Sequence, residues 1–583
     1  MTATVIVASA QTGSNLYLTT NLVSNIKGLA PIVDPNLADP WGISFSSSSP
    51  FWVSNHLSGT STLYNGSGAI TPLVVTVPKG SASASGSPGR PTGQVWNGTA
   101  TAFLLPAPGN GRAASFIFAT EDGTISGWNG GTTALVEVDN SANQAAYKGL
   151  AIGTSAGGPT LYAANFRSGK IDVFNSSWAP AALTGNFSDP GVPSGFAPFN
   201  IWNLNGSLYV TYARQDPNKF LDVGGAGNGY VSVFDLNGNL LNHLISSGAL
   251  NSPWGVAIAP AGWGAFGGAL LVGNFGDGRI NAFDVKTGNL LGTLQDKTGN
   301  PITLAGLWAI VFGNGGRGGD QNTLYFAAGT PNGSTTPRGV LGSIAPPAAI
   351  TSIINAASAV SGAVAPGEIV VIHGQTVGPS PAVTATIPPT SGPLATTLGN
   401  TTVTFNGTKA PIIYANAGGT SVQVPYGVSG STAANVVVTV GNQVTSTFMV
   451  QVAPTAPGLF TIDFSGKGQT VALNADGSVN SSKNPAARGS MIWLFATGAG
   501  ITQPPDMDGI AETDMTRVPV APLAVTVNGV SATLGPYGST AMDVAGVLEM
   551  QVTVPNAITT GVSDVRLTAG GVTTTQPTVV YVK

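Results

Sequence analysis

Leu161-Tyr162-Ala163-Ala164-Asn165-Phe166-Arg167-Ser168-Gly169-Lys170-Ile171-Asp172-Val173-Phe174 is the stretch whose reading decides the fold. Two short apolar runs flank a polar turn that ends in glycine, which is the pattern of strand, turn, strand. Glycine permits the positive φ such a turn needs, and an Asn four residues earlier suits it. Phe51-Trp52-Val53-Ser54-Asn55 before Gly59 and Leu270-Leu271-Val272-Gly273-Asn274 before Gly278 repeat the pattern. A glycine followed five residues later by an aromatic marks the second run each time: Gly59/Tyr64, Gly123/Trp128, Gly169/Phe174, Gly229/Phe234 and Gly278/Phe283. A degenerate sixth runs from Gly339 to Ile344. Upstream of each lies a second apolar marker, opening at Pro40-Trp41, Pro91-Thr92, Tyr147-Lys148, Pro198-Phe199, Pro253-Trp254 and Leu307-Trp308. Six paired markers at roughly 45 to 65 residues predict a radial array of small antiparallel sheets. The reading is a six-bladed β-propeller over 15–345, with a seven-bladed ring closed by the N-terminal strand as the rival count.

Pro346-Pro347 interrupts this pattern, and the remainder carries its own duplication. Ala365-Pro366-Gly367-Glu368-Ile369-Val370-Val371-Ile372 matches Ala487-Arg488-Gly489-Ser490-Met491-Ile492-Trp493-Leu494, and Val403-Thr404-Phe405-Asn406-Gly407 matches Val525-Thr526-Val527-Asn528-Gly529. Each half reads as short strands separated by frequent turns. Two immunoglobulin-like β-sandwich domains, 346–460 and 461–583, are therefore expected.

Composition narrows the class. Charged residues are 8% of the 583, against about 25% in ordinary domains. The 42% apolar content argues against disorder. A net charge of −4 without any basic run excludes nucleic acid as an expected partner. The absence of cysteine removes disulfides, thiolate metal sites and cysteine nucleophiles, and fits a protein that folds after export. Val5-Ile6-Val7-Ala8-Ser9-Ala10-Gln11 resembles the end of an apolar signal segment with an Ala-x-Ala cleavage site, so 1–14 reads as a signal-peptide remnant; an ordinary first strand is the alternative. No run of 18 apolar residues predicts a membrane span. The expected location is secreted, periplasmic or cell-surface.

Particular stretches carry a resemblance. Asn21-Leu22-Val23-Ser24, Asp39-Pro40-Trp41-Gly42-Ile43 and Ala119-Thr120-Glu121-Asp122-Gly123-Thr124-Ile125-Ser126-Gly127-Trp128 resemble a family of exported bacterial propeller proteins related to NHL-type repeats. Asn355-Ala356-Ala357-Ser358, Val424-Pro425-Tyr426 and Ala456-Pro457-Gly458-Leu459-Phe460 resemble a C-terminal module of secreted Acidobacteria proteins. The resemblance implies fold and export, and it transfers no catalytic residue.

Charge is scarce, so its clusters are the candidate sites. Arg214-Gln215-Asp216-Pro217-Asn218-Lys219-Phe220-Leu221-Asp222 is a charged insertion, and equivalent turns carry Glu121-Asp122, Arg167 and Asp277-Arg279. Turns of a propeller gather on its faces, so Glu121, Asp122, Arg167, Arg214, Asp216, Asp277 and Arg279 form a candidate ring for a polar or anionic ligand. Solvated loops with local pairing are the competing reading. Calcium is the cation that Asp476, in Asn474-Ala475-Asp476-Gly477-Ser478, or the acidic loop Asp506, Asp508, Glu512 and Asp514 would suit; plain Asx turns and a solvated loop are the alternatives, and no resident cofactor is expected. His56 stands where Phe166 and Phe275 stand in the aligned turns, which predicts packing; His243 and His373 read as structural. Trp41, Trp254 and Trp308 recur at one strand start and predict core packing, whereas Trp96, Trp128 and Trp202 stay open. The functional expectation is an exported binding platform for a polysaccharide or an extracellular or cell-surface protein, the sandwiches acting as spacer or attachment module. The alternative is a propeller hydrolase or lyase in which a metal held by carboxylates such as Glu121 and Asp216 activates water.

Overall fold

The computed structural model describes residues 15–106, 111–331, 336–379, 381–387, 392–441, 443–511, 514–539 and 544–583. The proposed signal remnant at 1–14 and Glu512 of the acidic loop lie outside the described residues. The chain is all-β apart from short 3-10 turns and divides after Pro346 into two compact units.

In the first unit each pair of markers becomes one antiparallel sheet. The first sheet runs Pro40–Ser44, Phe51–Asn55, Thr60–Tyr64 and Ile70–Thr76. Its first two strands are buried throughout, and exposure begins at the outermost strand, so apolar content falls from axis to rim. Sheets opening at Pro91–Trp96, Tyr147–Ser155, Phe196–Leu204, Pro253–Ile258 and Leu307–Phe312 follow in chain order. Each glycine–aromatic segment forms the third strand of its sheet, with Gly59, Gly169 and Gly278 at φ +68°, +72° and +71°. In these three turns the glycine N–H donates to the carbonyl of Asn55, Asn165 or Asn274 at 3.0 Å. The N-terminal strand Leu18–Ser24 starts no sheet of its own. It pairs antiparallel with Val340–Ala345 and so completes the sheet that contains Leu307–Phe312.

Neighbouring sheets are joined at their first strands, and the join explains the small third residue of the marker. A Cβ on Gly255 would lie 2.5 Å from Trp308 O in the next sheet. Side chains stitch the same seam: Thr92 Oγ1 donates to Tyr147 O at 2.6 Å, Asn200 Nδ2 to Trp254 O at 2.9 Å, and Gln94 Nε2 to Gly42 O at 2.9 Å. The result is a propeller-like arrangement of radial sheets around a central axis.

In the second unit the duplicated segments take the same place in their pairings. Ile369–Gln375 pairs with Gly419–Gln423, and Met491–Thr497 with Val547–Thr553. Thr401–Phe405 pairs with Ala433–Val440, and Leu523–Val527 with Gly561–Ala569. Each half has its own apolar core, one around Val370, Val403 and Val436 and one around Ile492, Val525 and Val565.

Candidate functional site

The first strands of the first unit give its axis two chemically different ends. At their starts, equivalent positions hold Trp41, Thr92, Lys148, Phe199, Trp254 and Trp308. The rings form a plug: Trp308 stacks on Trp41 at 3.5 Å and on Phe275 at 3.9 Å, and Trp41 also stacks on His56 at 4.8 Å. Lys148 stands in this aromatic company as the one cation among the six, only 2% exposed. Its ammonium lies over Phe220 at 5.0 Å and Trp41 at 5.4 Å.

A buried ammonium needs a counter-charge, and Glu121 supplies it. Glu121 Oε1 pairs with Lys148 Nζ, while Oε2 takes His56 Nε2 at 2.7 Å. His56 Nδ1 lies 3.1 Å from Asp39 Oδ2, which also accepts from Trp41 Nε1 at 3.1 Å. Asp39 Oδ1 accepts from Thr330 N at 2.6 Å. Burial opposes the imidazolium, but Glu121 and Asp39 outweigh it and raise the His56 pKa to about 9. Burial likewise opposes the Glu121 carboxylate, yet Lys148 and His56 hold it well below the usual range. With His56 protonated, two carboxylates face two cations, and each named carboxylate oxygen already has a protein partner.

Of the ring predicted from sequence, Glu121 alone joins this network. Asp122 accepts from Arg90 N at 2.7 Å and Ser83 Oγ at 3.1 Å, tying down its own loop. Asp216 closes its turn by accepting from Phe220 N at 2.7 Å and Leu221 N at 3.0 Å, and Asp277 accepts from Arg279 N at 3.1 Å. Arg214 and Arg279 are exposed and Arg167 is half-buried. The Arg214–Asp222 insertion does reach the axis, through residues other than its outer charges. Phe220 covers Lys148, Gln215 Nε2 donates to Phe166 O at 2.6 Å, and Asp222 carries a carboxyl that burial raises. The packing role expected for His56 holds in its stack on Trp41, but it is joined by the ion pairs to Glu121 and Asp39. The signal was present in the sequence, as a lysine among the mostly aromatic strand starts and a histidine where Phe166 and Phe275 stand in two other turns.

The carboxylates considered for calcium hold protein donors. Asp506 accepts from Ser539 Oγ at 2.5 Å and Tyr426 Oη at 3.2 Å, and Asp508 accepts from Tyr426 N at 2.8 Å. Asp476 accepts from Ser478 N at 3.0 Å in an exposed Asx turn. Among the described residues no group of three or more His, Asp or Glu side chains is placed to hold a metal.

The opposite end of the axis is open. Where the first strands finish, two adjoining cavities of about 260 and 460 Å³ share Phe45, Trp202, Asn203 and Val311. Together they touch the ends of all six first strands, some 10–13 Å along the strands from the tryptophan plug at about 3.3 Å per residue. The lining is mostly apolar and aromatic, with Ser44, Gln94, Asn203 and Asn205 as its polar residues, and among the described residues no charged side chain contributes to it. Trp96 stands 40% exposed on this wall. Ser44 Oγ and Trp202 Nε1 are buried without a hydrogen-bond partner among the described residues. Two of the three tryptophans left open by the sequence thus belong to the funnel, while Trp128 packs on Trp52 at 4.7 Å.

No protein-family model matches the chain. The C-terminal module expected from sequence therefore gains no support, and the relatives found are viral rather than bacterial. The uncharacterised protein R648 of Acanthamoeba polyphaga mimivirus is 36% identical over 296 residues, covering 49% of this chain and 71% of its own length. The uncharacterised protein L690 of the same virus is 33% identical over 296 residues, covering 49% of this chain and 76% of its own. Among solved structures, a Bacteroides thetaiotaomicron protein of unknown function is 12% identical with a TM-score of 0.35, covering 56% of this chain and 76% of that one. The β-propeller domain of Myceliophteria thermophila Cps50 (Swd1) is 12% identical with a TM-score of 0.28, covering 52% of this chain and 83% of that one. By the mimivirus matches, the chain belongs to the family of the proteins R648 and L690.

Proposed function

We propose that this chain is a non-catalytic binding protein, a six-bladed propeller that holds its ligand in the open funnel and carries two immunoglobulin-like sandwiches as spacer or attachment module. One observation carries the reading: the axis is sealed at its ionic end and open at its apolar end. The sealed end pairs Lys148, Glu121, His56 and Asp39 with one another, and the open end offers concave, mostly apolar walls with a few neutral polar side chains, as ligand sites commonly do. The larger cavity falls within the roughly 300–1,000 Å³ that such sites occupy. The metal-assisted hydrolase is disfavoured by the same geometry, since Glu121 is paired on both oxygens and Asp216 is committed to its own turn. Export to the cell surface or medium fits the cysteine-free, charge-poor composition.

The funnel is tested with the neutral, environment-sensitive dye Nile red on the full chain. We expect saturable fluorescence enhancement that Ile152→Arg, on the funnel wall, reduces at least tenfold in affinity while the circular dichroism spectrum is retained. Equal binding by the two proteins would overturn the funnel as the site.

A further inference from the structure

We propose that the funnel receives the rings of an uncharged sugar chain, a pyranose face lying on Trp96 and ring oxygens or hydroxyls meeting the neutral polar side chains of the wall, Asn203 and Asn205 among them. The proposal rests on the funnel being the binding site and adds the chemistry of its ligand.

Three features of the wall select that chemistry. No Asp, Glu, Lys, Arg or His lines either cavity. An ion entering would lose its hydration without gaining a counter-charge, so the ligand is neutral. Next, Trp96 is 40% exposed, and no aromatic contact of its ring is found among the described residues. Every other tryptophan of the first unit stacks, tilts or crosses another ring. An indole without a partner on an open wall is a platform for a flat, C–H-bearing face. Third, Ser44, Gln94, Asn203 and Asn205 set neutral polar side chains among the apolar residues of the lining.

A pure hydrocarbon would fill the walls and strip these polar side chains of water without replacing it. An ionic ligand would satisfy them and fail on charge. A pyranose ring joins an apolar C–H face to neutral oxygens along its edge, and so meets all three conditions. The funnel is wide enough at its mouth for the remaining hydroxyls to keep their water, since two adjoining open cavities lead into it.

The experiment titrates the full chain with neutral hexasaccharides (cellohexaose, xylohexaose and maltohexaose) and with anionic hexagalacturonate, read by calorimetry and by displacement of Nile red. We expect at least one neutral hexasaccharide to bind saturably and displace the dye, with little change between 50 and 500 mM NaCl, and hexagalacturonate to do neither. Trp96→Ala, on an exposed wall, weakens sugar binding at least tenfold. If no neutral hexasaccharide binds at 5 mM while Nile red still responds to Ile152→Arg, the sugar assignment falls and the funnel stands. If the dye ignores Ile152→Arg as well, both fall. Binding of the sugars that is unchanged by Trp96→Ala also overturns the assignment.

Discussion

His56 shows how much one side chain can decide. At the same turn position its sister sheets carry Phe166 and Phe275, which only pack, whereas His56 both stacks on Trp41 and links Glu121 to Asp39. Its pKa is raised from 6.5 to about 9, so the folded state holds the proton more tightly than the unfolded chain. The stability this contributes is fully present below about pH 6.5 and is lost as pH rises through about 9. Glu121 acts in the opposite sense: its depressed pKa gives stability that is present above the ordinary carboxylate range and lost only in acid. His56→Phe restores the residue of the sister turns but leaves Glu121 with Lys148 alone. Breaking a buried pair of this kind costs about 3 kcal/mol. Urea unfolding of both proteins from pH 6 to 10 should show that deficit in full at pH 6, shrinking above about pH 6.5 and largely gone once pH passes 9. A deficit independent of pH would mean that His56 matters here only as a packed ring.

At the scale of strands, the sheets were legible because their markers recur with a period, and the chemistry was not because it breaks that period. In four of the six sheets the glycine before the third strand takes positive φ (Gly59, Gly123, Gly169 and Gly278) and the strand ends at or beside an aromatic ring, whereas Gly229 and Gly339 do without positive φ. The network at the sealed end draws Asp39 and His56 from the first sheet, Glu121 from the second and Lys148 from the third, so no single stretch announces it. The funnel is subtler still. Trp96 and Trp202 lie at the far ends of strands whose starts were recognised, and their shared cavity exists only once the ring of sheets is formed. The Arg214–Asp222 insertion drew notice for its charges, yet its uncharged Phe220 makes the contact with Lys148. The seam between first strands gives this scale its own test. Gly255→Ala would place a methyl 2.5 Å from Trp308 O and 3.0 Å from Ile310 Cγ1, forcing two sheets apart. We expect a loss of about 2–3 kcal/mol in urea unfolding, as for an overpacked core. Gly262→Ala, where a Cβ meets nothing within 4 Å, should stay within about 0.5 kcal/mol of the parent.

Across the whole chain the two units respond to pH through different groups, and this allows their unfolding to be told apart. Glu368 is buried in the second unit, in the turn Ala365-Pro366-Gly367-Glu368 whose duplicate reads Ala487-Arg488-Gly489-Ser490. Both turns keep the same backbone bond, Glu368 N to Ala365 O at 3.1 Å and Ser490 N to Ala487 O at 3.0 Å. Glu368 also reaches back to accept from Ala365 N at 2.6 Å, a contact that does not offset the cost of burying its charge. Burial raises its pKa from 4.5 to about 8. Here the folded state prefers the protonated acid, so the stability Glu368 contributes is fully present below about pH 4.5 and is lost as pH rises through about 8. The span is on the order of 4 kcal/mol for a fully buried group. For a unit of this size that corresponds to a fall of roughly 10 °C in its melting temperature. Differential scanning calorimetry should therefore resolve a transition that begins to move down near pH 5, before the loss of the His56 contribution, which starts only above about pH 6.5, reaches the first unit. Glu368→Gln, which keeps the acceptor oxygen without the charge, should fix that transition in place between about pH 5 and 8 and leave the other alone. If both transitions move with pH and the substitution alters neither, the buried carboxyl does not set the stability of the second unit.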